Sequence, residues 1–201
     1  YERQGIDIGL GEKAIGLELD TKRISTSHHR YISYKKLLVT TGGEPASWPR
    51  AQNPPSRVLR FQTLEDADII QKTLTQYASH ARPQALVVGG GFIGLEFIES
   101  AALFGFRTNL FLKSSRYFGE ALEREGWELL RKNFEKHNVT IFPETEVLSV
   151  YEEGDAIVAD TGSEKVRGYF LGLGIGLDRN IEIFRDAGLK TQEGIWVNEY
   201  L

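Results

Sequence analysis

The sequence predicts an α/β fold in which a parallel sheet is followed by an antiparallel meander. Between about residues 57 and 170, helical and extended patterns alternate as helix, strand, helix, strand, helix, strand. That order is typical of a parallel sheet with crossover helices. The first strand of this series, residues 85–88, is short and wholly apolar, as expected for a strand buried on both faces.

The segment before this region has a different pattern. Residues 1–41 show the period-two alternation of short strands in IDIGLG, AIGLELD and KRISTS, and LLVT at 37–40 predicts an apolar strand. Residues 43–57 hold four of the six prolines and no periodic pattern. We therefore predict a linker at 46–56.

The helices and strands of the α/β region follow in order. Thr63 is predicted to cap the first helix, with Glu65 and Asp66 in its first turn, and apolar residues at helical spacing continue to Tyr77. The later predictions are helices at about 92–104 and 120–137, strands at 108–112 and 138–142, and a meander with turns at Gly154 and Gly162.

Composition excludes several classes of function. The net charge of -4 and the pI near 5.7 argue against a nucleic acid or an anionic membrane as partner. No apolar run approaches the roughly 20 residues of a membrane span. The chain has no cysteine, which excludes disulfides and thiolate nucleophiles within it and fits a reducing cytoplasm. Its four histidines have neither metal-ligand nor triad spacing, so we predict no metal site and no catalytic side chain.

The glycine-rich stretch VVGGGFIGLEF points to a ligand. Gly89, Gly91 and Gly94 fit the pattern G-x-G-x-x-G directly between a strand and a helix. In a Rossmann-like fold the first glycine makes the tight turn, the second admits a pyrophosphate to the backbone, and the third lets helix and strand pack closely. Helix N–H groups then favour the phosphates. We predict a dinucleotide site at this glycine turn (residues 89–94), including Ile93. The alternative is a turn that serves packing alone.

The end of the second strand bears on which dinucleotide is bound. NAD-binding sites of this kind carry a carboxylate about 20 residues after the glycines. Here the position is Lys113, followed by Ser114, Ser115 and Arg116, and no acid appears before Glu120. Lys113 and Arg116 would pair with a 2′-phosphate, which a carboxylate would repel. The pattern favours NADP over NAD, and the alternative is that these are solvated loop charges.

Three stretches in this order resemble the FAD-dependent pyridine nucleotide-disulfide oxidoreductase superfamily, especially its ferredoxin-reductase, NADH-oxidase and apoptosis-inducing-factor-like members. They are YKKLLVTTGGEP, VVGGGFIGLEF and GLGIGLDRNIEIFRDAGLKTQEGIWVNEYL, and together the likeness covers nearly the whole chain. The resemblance implies an NAD(P)-binding domain at 57–170 inserted into an FAD-type domain, of which 1–45 and the return segment 171–201 are parts. It also implies that the chain is an incomplete part of the enzyme.

The resemblance also assigns residues to the FAD-type domain and to the point where the chain returns to it. Thr41 and Gly42 match the family's A-T-G turn near FAD, with Thr40 in place of the alanine, and Gly176 and Asn180 match the motif at which the chain returns to the FAD domain.

Two residues of the predicted second helix match positions near the nicotinamide. Phe92 matches an aromatic residue that gates the nicotinamide pocket in some members, and its alternative role is a core contact at the helix start. Glu96 matches a glutamate near the nicotinamide, and its alternative role is a first-turn carboxylate that favours the helix dipole.

The function implied by the resemblance is hydride transfer from NAD(P)H to FAD, with FAD and NADP or NAD as cofactors. The electron acceptor stays open between a small molecule and a small redox protein, and formation of a homodimer is also left open. Two alternatives come from other classes: a dinucleotide-binding sensor without catalysis, and a scaffold with a relict glycine turn.

Overall fold

The computed structural model describes residues 2–46 and 54–200, which belong to two compact units. The discontinuous unit comprises Tyr1–Glu44 and Arg179–Leu201, and the central unit comprises Pro45–Asp178. The linker predicted at 46–56 falls mostly on residues 47–53, which lie outside the described residues, and it stays a prediction.

The discontinuous unit begins with a 3-10 turn and an antiparallel sheet of three strands in the order β1-β2-β3. The strands are β1 (Ala14–Glu18), β2 (Arg23–Thr26) and β3 (Tyr31–Ser33). The stretches AIGLELD and KRISTS thus form strands as predicted. IDIGLG does not, since it pairs with no strand in the described part of the chain.

The strand predicted at residues 37–40 is also wrong. No other strand pairs with this segment among the described residues, and Leu38 is 85% exposed. An apolar run cannot form a ladder without a neighbour that accepts its backbone hydrogen bonds. Residues 37–41 instead line a cleft of about 640 Å³ within the discontinuous unit, together with Asn180 and Ile183.

The chain leaves the discontinuous unit through β4 (Gly43–Pro45) and enters the central unit. The elements of that unit are, in chain order, β5 (Val58–Leu59), α1 (Leu64–Tyr77), β6 (Gln84–Val88), α2 (Phe92–Leu103), β7 (Arg107–Phe111), α3 (Arg124–Lys136), β8 (Val139–Phe142), β9 (Ser149–Glu153), β10 (Ala156–Asp160), β11 (Lys165–Gly168) and β12 (Phe170–Leu173). The chain returns through β13 (Leu177–Arg179) to the short helix α4 (Glu182–Asp186).

The central unit confirms the predicted α/β fold. Its five-stranded sheet has the order β5-β12-β6-β7-β8, every pair is parallel, and β9, β10 and β11 form the antiparallel meander. Strand β6 lies at the centre, with β7 on one side and β12 on the other. From β6 the chain continues to β7 and β8 on one side of the sheet, and it later returns to β12 on the other side. The crevice beyond the carboxyl end of β6 is therefore a topological switch point, where ligands of open α/β sheets bind.

The sheet is covered on both faces because its strands alternate between two apolar layers. Ala85 and Val87 of β6 pack with residues of all three helices, among them Phe97 of α2. Leu86 packs on the other face with meander residues such as Ile157. The sheet therefore lies between a layer of three helices and the antiparallel meander.

Thr63 caps α1, as predicted, through a reciprocal capping box. The Asp66 N–H donates to Thr63 Oγ1 at 3.1 Å, and the N–H groups of Thr63 and Gln62 each donate to Asp66 Oδ2 at 2.9 Å. Burial by itself would raise the pKa of Asp66, but these hydrogen bonds to its carboxylate outweigh burial and hold the pKa below its ordinary value.

We expect Asp66→Asn to lower the free energy of unfolding by about 1 kcal/mol at pH 7. Because the folded-state pKa of Asp66 is lowered, its contribution is present above the unfolded pKa of about 3.9 and is lost as the pH falls through the folded value. The difference from wild type should therefore shrink below about pH 4, measured by urea unfolding at each pH. Asp68→Asn, an exposed change on the same helix, is the control. An undiminished difference at low pH would contradict the assignment.

Candidate dinucleotide site

The glycine turn joins β6 to α2 at the switch point of the sheet. Gly91 is the N-cap residue of α2, with extended backbone (φ -116, ψ -174) and no side-chain hydrogen bond to the helix. The start of α1, in contrast, is satisfied by its own capping box. The two helix starts thus differ in how many N–H groups they leave for another partner.

Five consecutive backbone N–H groups, those of residues 90–94, have no hydrogen-bond acceptor within the described parts of the chain. The first N–H to donate into the helix is that of Leu95, to Gly91 O at 3.1 Å. Unpaired N–H groups and the positive end of the helix dipole together form an anion site. These N–H groups can therefore donate hydrogen bonds to an anion without rearrangement of α2.

The three motif glycines differ in what requires them. Gly89 has a φ of +116, and a Cβ there would lie 2.1 Å from Gly174 O. A Cβ on Gly94 would lie 2.4 Å from Gly89 O and 2.9 Å from the Tyr117 hydroxyl. A Cβ on Gly91 would meet no atom within 4 Å. Packing explains Gly89 and Gly94, whereas Gly91 faces open space.

The β7–α3 loop (residues 112–123) lies against the glycine turn. The Phe118 N–H donates to Gly90 O at 2.9 Å, and the Tyr117 hydroxyl donates to Gly91 O at 2.7 Å. Tyr117 is 0% exposed, and burial raises the pKa of its hydroxyl, so it remains a neutral donor. The sequence analysis missed Tyr117. Its only signal was an aromatic pair directly after the Lys/Ser/Arg cluster.

The predicted 2′-phosphate residues lie on the same loop. Val88 pairs with Phe111, so the segments after β6 and β7 leave the same edge of the sheet. Lys113 is exposed, Arg116 is half-buried, and neither forms an ion pair with a carboxylate in the described part of the chain. The structure thus leaves both cations available to a ligand.

Phe92 and Glu96 are both exposed on α2. Phe92 is 75% exposed, which does not fit a core contact, and its ring lies 4.9 Å from that of Phe118 at an angle of 54°. Glu96 lines a groove between α1 and α2 together with Asp68 and Gln71. Ile93 is half-buried within the turn. The contacts of Phe92 and Glu96 with a nicotinamide stay predictions.

The residues assigned to the flavin side are distributed over both units. Thr41 and Gly42 belong to the discontinuous unit, where Thr41 lines the same cleft as Asn180 and Gly42 has a φ of +59. Gly176 belongs to the central unit, has a φ of +108, and accepts the Ala46 N–H at 3.0 Å.

Residues 2–46 and 54–200 contain no group of three or more histidine, aspartate or glutamate side chains that could hold a metal ion. None of their helices is both long and apolar enough to cross a membrane.

The family model for pyridine nucleotide-disulphide oxidoreductases matches residues 2–201. The chain therefore belongs to this family, as the resemblance predicted.

Two relatives and one solved structure illustrate the relationship. The chain is 28% identical to the assimilatory nitrate reductase electron transfer subunit of Bacillus subtilis, over 100% of the chain and 26% of that protein. It is 27% identical to putidaredoxin reductase of Pseudomonas putida, over 100% of the chain and 48% of that protein. The crystal structure of the covalent putidaredoxin reductase–putidaredoxin complex matches with a TM-score of 0.87 and 25% identity, over 99% of the chain and 48% of that protein chain. The chain thus spans half or less of these relatives.

Proposed function

We propose that this chain is the NAD(P)H-binding portion of a flavin-dependent oxidoreductase. The observation that carries the proposal is the row of unpaired N–H groups at residues 90–94, beside the open space at Gly91. This row lies at the switch point of a parallel sheet, in a member of the pyridine nucleotide-disulphide oxidoreductase family.

The residues of the site fit a dinucleotide in three parts. The pyrophosphate would bind the N–H groups of the glycine turn, because the missing side chain of Gly91 admits it to the backbone. Lys113 and Arg116 would contact the 2′-phosphate of NADP, where the donor geometry of Arg suits phosphate. Phe92 and Glu96 would lie toward the nicotinamide, consistent with the exposure of both side chains.

FAD is the second cofactor that we propose for the whole protein. Thr41 and Gly42 of the discontinuous unit would contact it, and Gly42, which has no side chain, adopts a φ of +59 there. FAD, when bound, supplies the group that takes up a hydride from reduced nicotinamide. The residues of this chain bind and orient the dinucleotide, and no side chain of it needs to transfer a proton.

We further propose a small redox protein as the electron acceptor. The structurally similar putidaredoxin reductase forms a complex with putidaredoxin, and the nitrate reductase relative is an electron transfer subunit. Both relatives extend well beyond the segment that this chain matches.

The absorbance spectrum of the purified full-length protein tests the proposal. We expect a flavin spectrum that is bleached by NADPH. Colourless protein that still binds NADPH would instead support a dinucleotide sensor. Failure to bind any nucleotide would support a scaffold role.

The choice of dinucleotide is tested by Lys113→Glu. The substitution removes a charge-assisted contact to the 2′-phosphate and adds repulsion, so we expect the NADPH affinity to fall about 10-fold or more relative to the NADH affinity. Isothermal titration with both nucleotides gives the ratio. Lys72→Glu, which makes the same change of charge at an exposed position of α1, is the control. An unchanged NADPH/NADH ratio would rule out this role for Lys113.

A further inference from the structure

We infer that Tyr117 is a positioning residue that orients the N–H groups of the glycine turn toward the pyrophosphate. The β7–α3 loop would then control both phosphate contacts of the dinucleotide, the 2′-phosphate through its cations and the pyrophosphate through Tyr117. This inference rests on the proposed function.

Two consecutive carbonyl groups of the turn are held by two consecutive residues of the loop. Gly90 O accepts the Phe118 N–H, and Gly91 O accepts the Tyr117 hydroxyl. In a trans peptide the C=O of one residue and the N–H of the next point in opposite directions. The N–H groups of Gly91 and Phe92 are therefore directed away from the loop. Successive N–H groups oriented together form an anion-binding concavity.

Both hydrogen bonds also remove an unfavourable interaction. A carbonyl oxygen carries partial negative charge, so it would repel a phosphate if the peptide plane turned over. Together with the Leu95 N–H, which donates to the same carbonyl oxygen at 3.1 Å, the Tyr117 hydroxyl holds the plane between Gly91 and Phe92 in the favourable orientation before any ligand arrives. Preorganised donors cost less free energy when the ligand binds.

The surroundings of Tyr117 fix its hydroxyl in this position. Its ring makes edge contacts with Phe118 at 4.9 Å and with Phe134 of α3 at 5.4 Å between centroids. The hydroxyl lies so close to Gly94 that a Cβ there would be 2.9 Å away. The third motif glycine therefore admits the tyrosine hydroxyl as well as allowing α2 to pack against Gly89.

The glycine turn does not depend on the Tyr117 hydroxyl alone for its fold. Gly91 O also accepts the Leu95 N–H at 3.1 Å, so it stays paired in Tyr117→Phe. The variant loses one hydrogen bond and keeps its buried ring. A matched control is Tyr77→Phe in the same unit, because Tyr77 is 5% exposed and its hydroxyl donates to Asp155 Oδ1 at 3.2 Å.

We expect Tyr117→Phe to weaken the binding of ADP-ribose and NADPH by about fivefold, measured by isothermal titration calorimetry. NADH should weaken by the same factor as NADPH, so the ratio altered by Lys113→Glu should stay constant. In steady-state assays of the flavin-containing protein, KM should rise while kcat stays unchanged. The reason is that the glycine turn would bind the pyrophosphate equally strongly in the ground state and in the transition state. Tyr77→Phe should bind all three ligands within about twofold of wild type.

Several results would overturn the inference. ADP-ribose affinity of Tyr117→Phe within about twofold of wild type would show that the hydroxyl does not orient the turn. An equal loss of affinity in Tyr77→Phe would show a general effect of removing a buried hydroxyl. If wild-type protein binds no ADP-ribose, the proposed function itself fails, which is a different result from unaltered binding in the variant.

Discussion

Gly91→Ala is expected to abolish NAD(P)H binding while leaving the fold intact. Its φ of -116 is accessible to alanine, and the added Cβ would meet no protein atom within 4 Å. The methyl group would instead occupy the space in which a phosphate approaches the backbone. Loss of two charge-assisted hydrogen bonds would weaken binding about 100-fold or more, while the free energy of unfolding should change by about 1 kcal/mol or less.

Calorimetric titration with NADPH and NADH gives the binding affinities of this variant, and urea unfolding gives its free energy of unfolding. Gly194→Ala is the control, because its Cβ would also meet nothing within 4 Å and its φ is not in the left-handed region. Retention of wild-type affinity by Gly91→Ala would show that no phosphate approaches this backbone, and the dinucleotide assignment would then fail.

Gly89→Ala, in contrast to Gly91→Ala, should act mainly on the fold and cause a large loss of stability. Alanine would have to adopt a φ of +116, and its Cβ would lie 2.1 Å from Gly174 O and 2.6 Å from Gly174 C. Both are backbone atoms of the residue that directly follows β12, where the Gly174 N–H donates to Val88 O, so neither can rotate aside. Backbone strain and overpacking together should lower the free energy of unfolding by about 4 kcal/mol or more. A typical domain has only about 5–15 kcal/mol in total.

The midpoint and slope of urea denaturation measure this loss. Gly105→Ala isolates the contribution of the dihedral angle, because Gly105 has a φ of +80 and no atom within 4 Å of its Cβ position. That variant should lose only about 1–2 kcal/mol. If both variants lost the same amount, the close approach of Gly174 to Gly89 would not constrain the turn.

Local patterns were sufficient to predict much of this architecture. The capping box at Thr63, the apolar strand β6 and the two meander turns each depend on residues close together in sequence. The position of the glycine turn followed from the same kind of pattern, because a strand end, three glycines and a helix start are contiguous.

Contacts between distant segments were beyond these patterns. The motif predicted a separate role for each of the three glycines. It did not predict that the backbone of Gly174 would lie against Gly89 or that the Tyr117 hydroxyl would lie beside Gly94. The strand expected at residues 37–40 failed for a related reason. Apolar character indicates a tendency to be buried, but a strand also needs a neighbour whose backbone is in register.

The position of β12 has a consequence for how the protein is made. Ribosomes release the chain from its N-terminus, and β6 emerges long before residues 170–173 that pair with it. Until then one edge of β6, whose residues 85–88 are all apolar, is open, and such an edge is a template for misassembly with other nascent chains. Gly174, whose N–H donates to Val88 O at 2.8 Å, emerges later still. The proposed dinucleotide site is therefore among the last features of the central unit to be completed during translation.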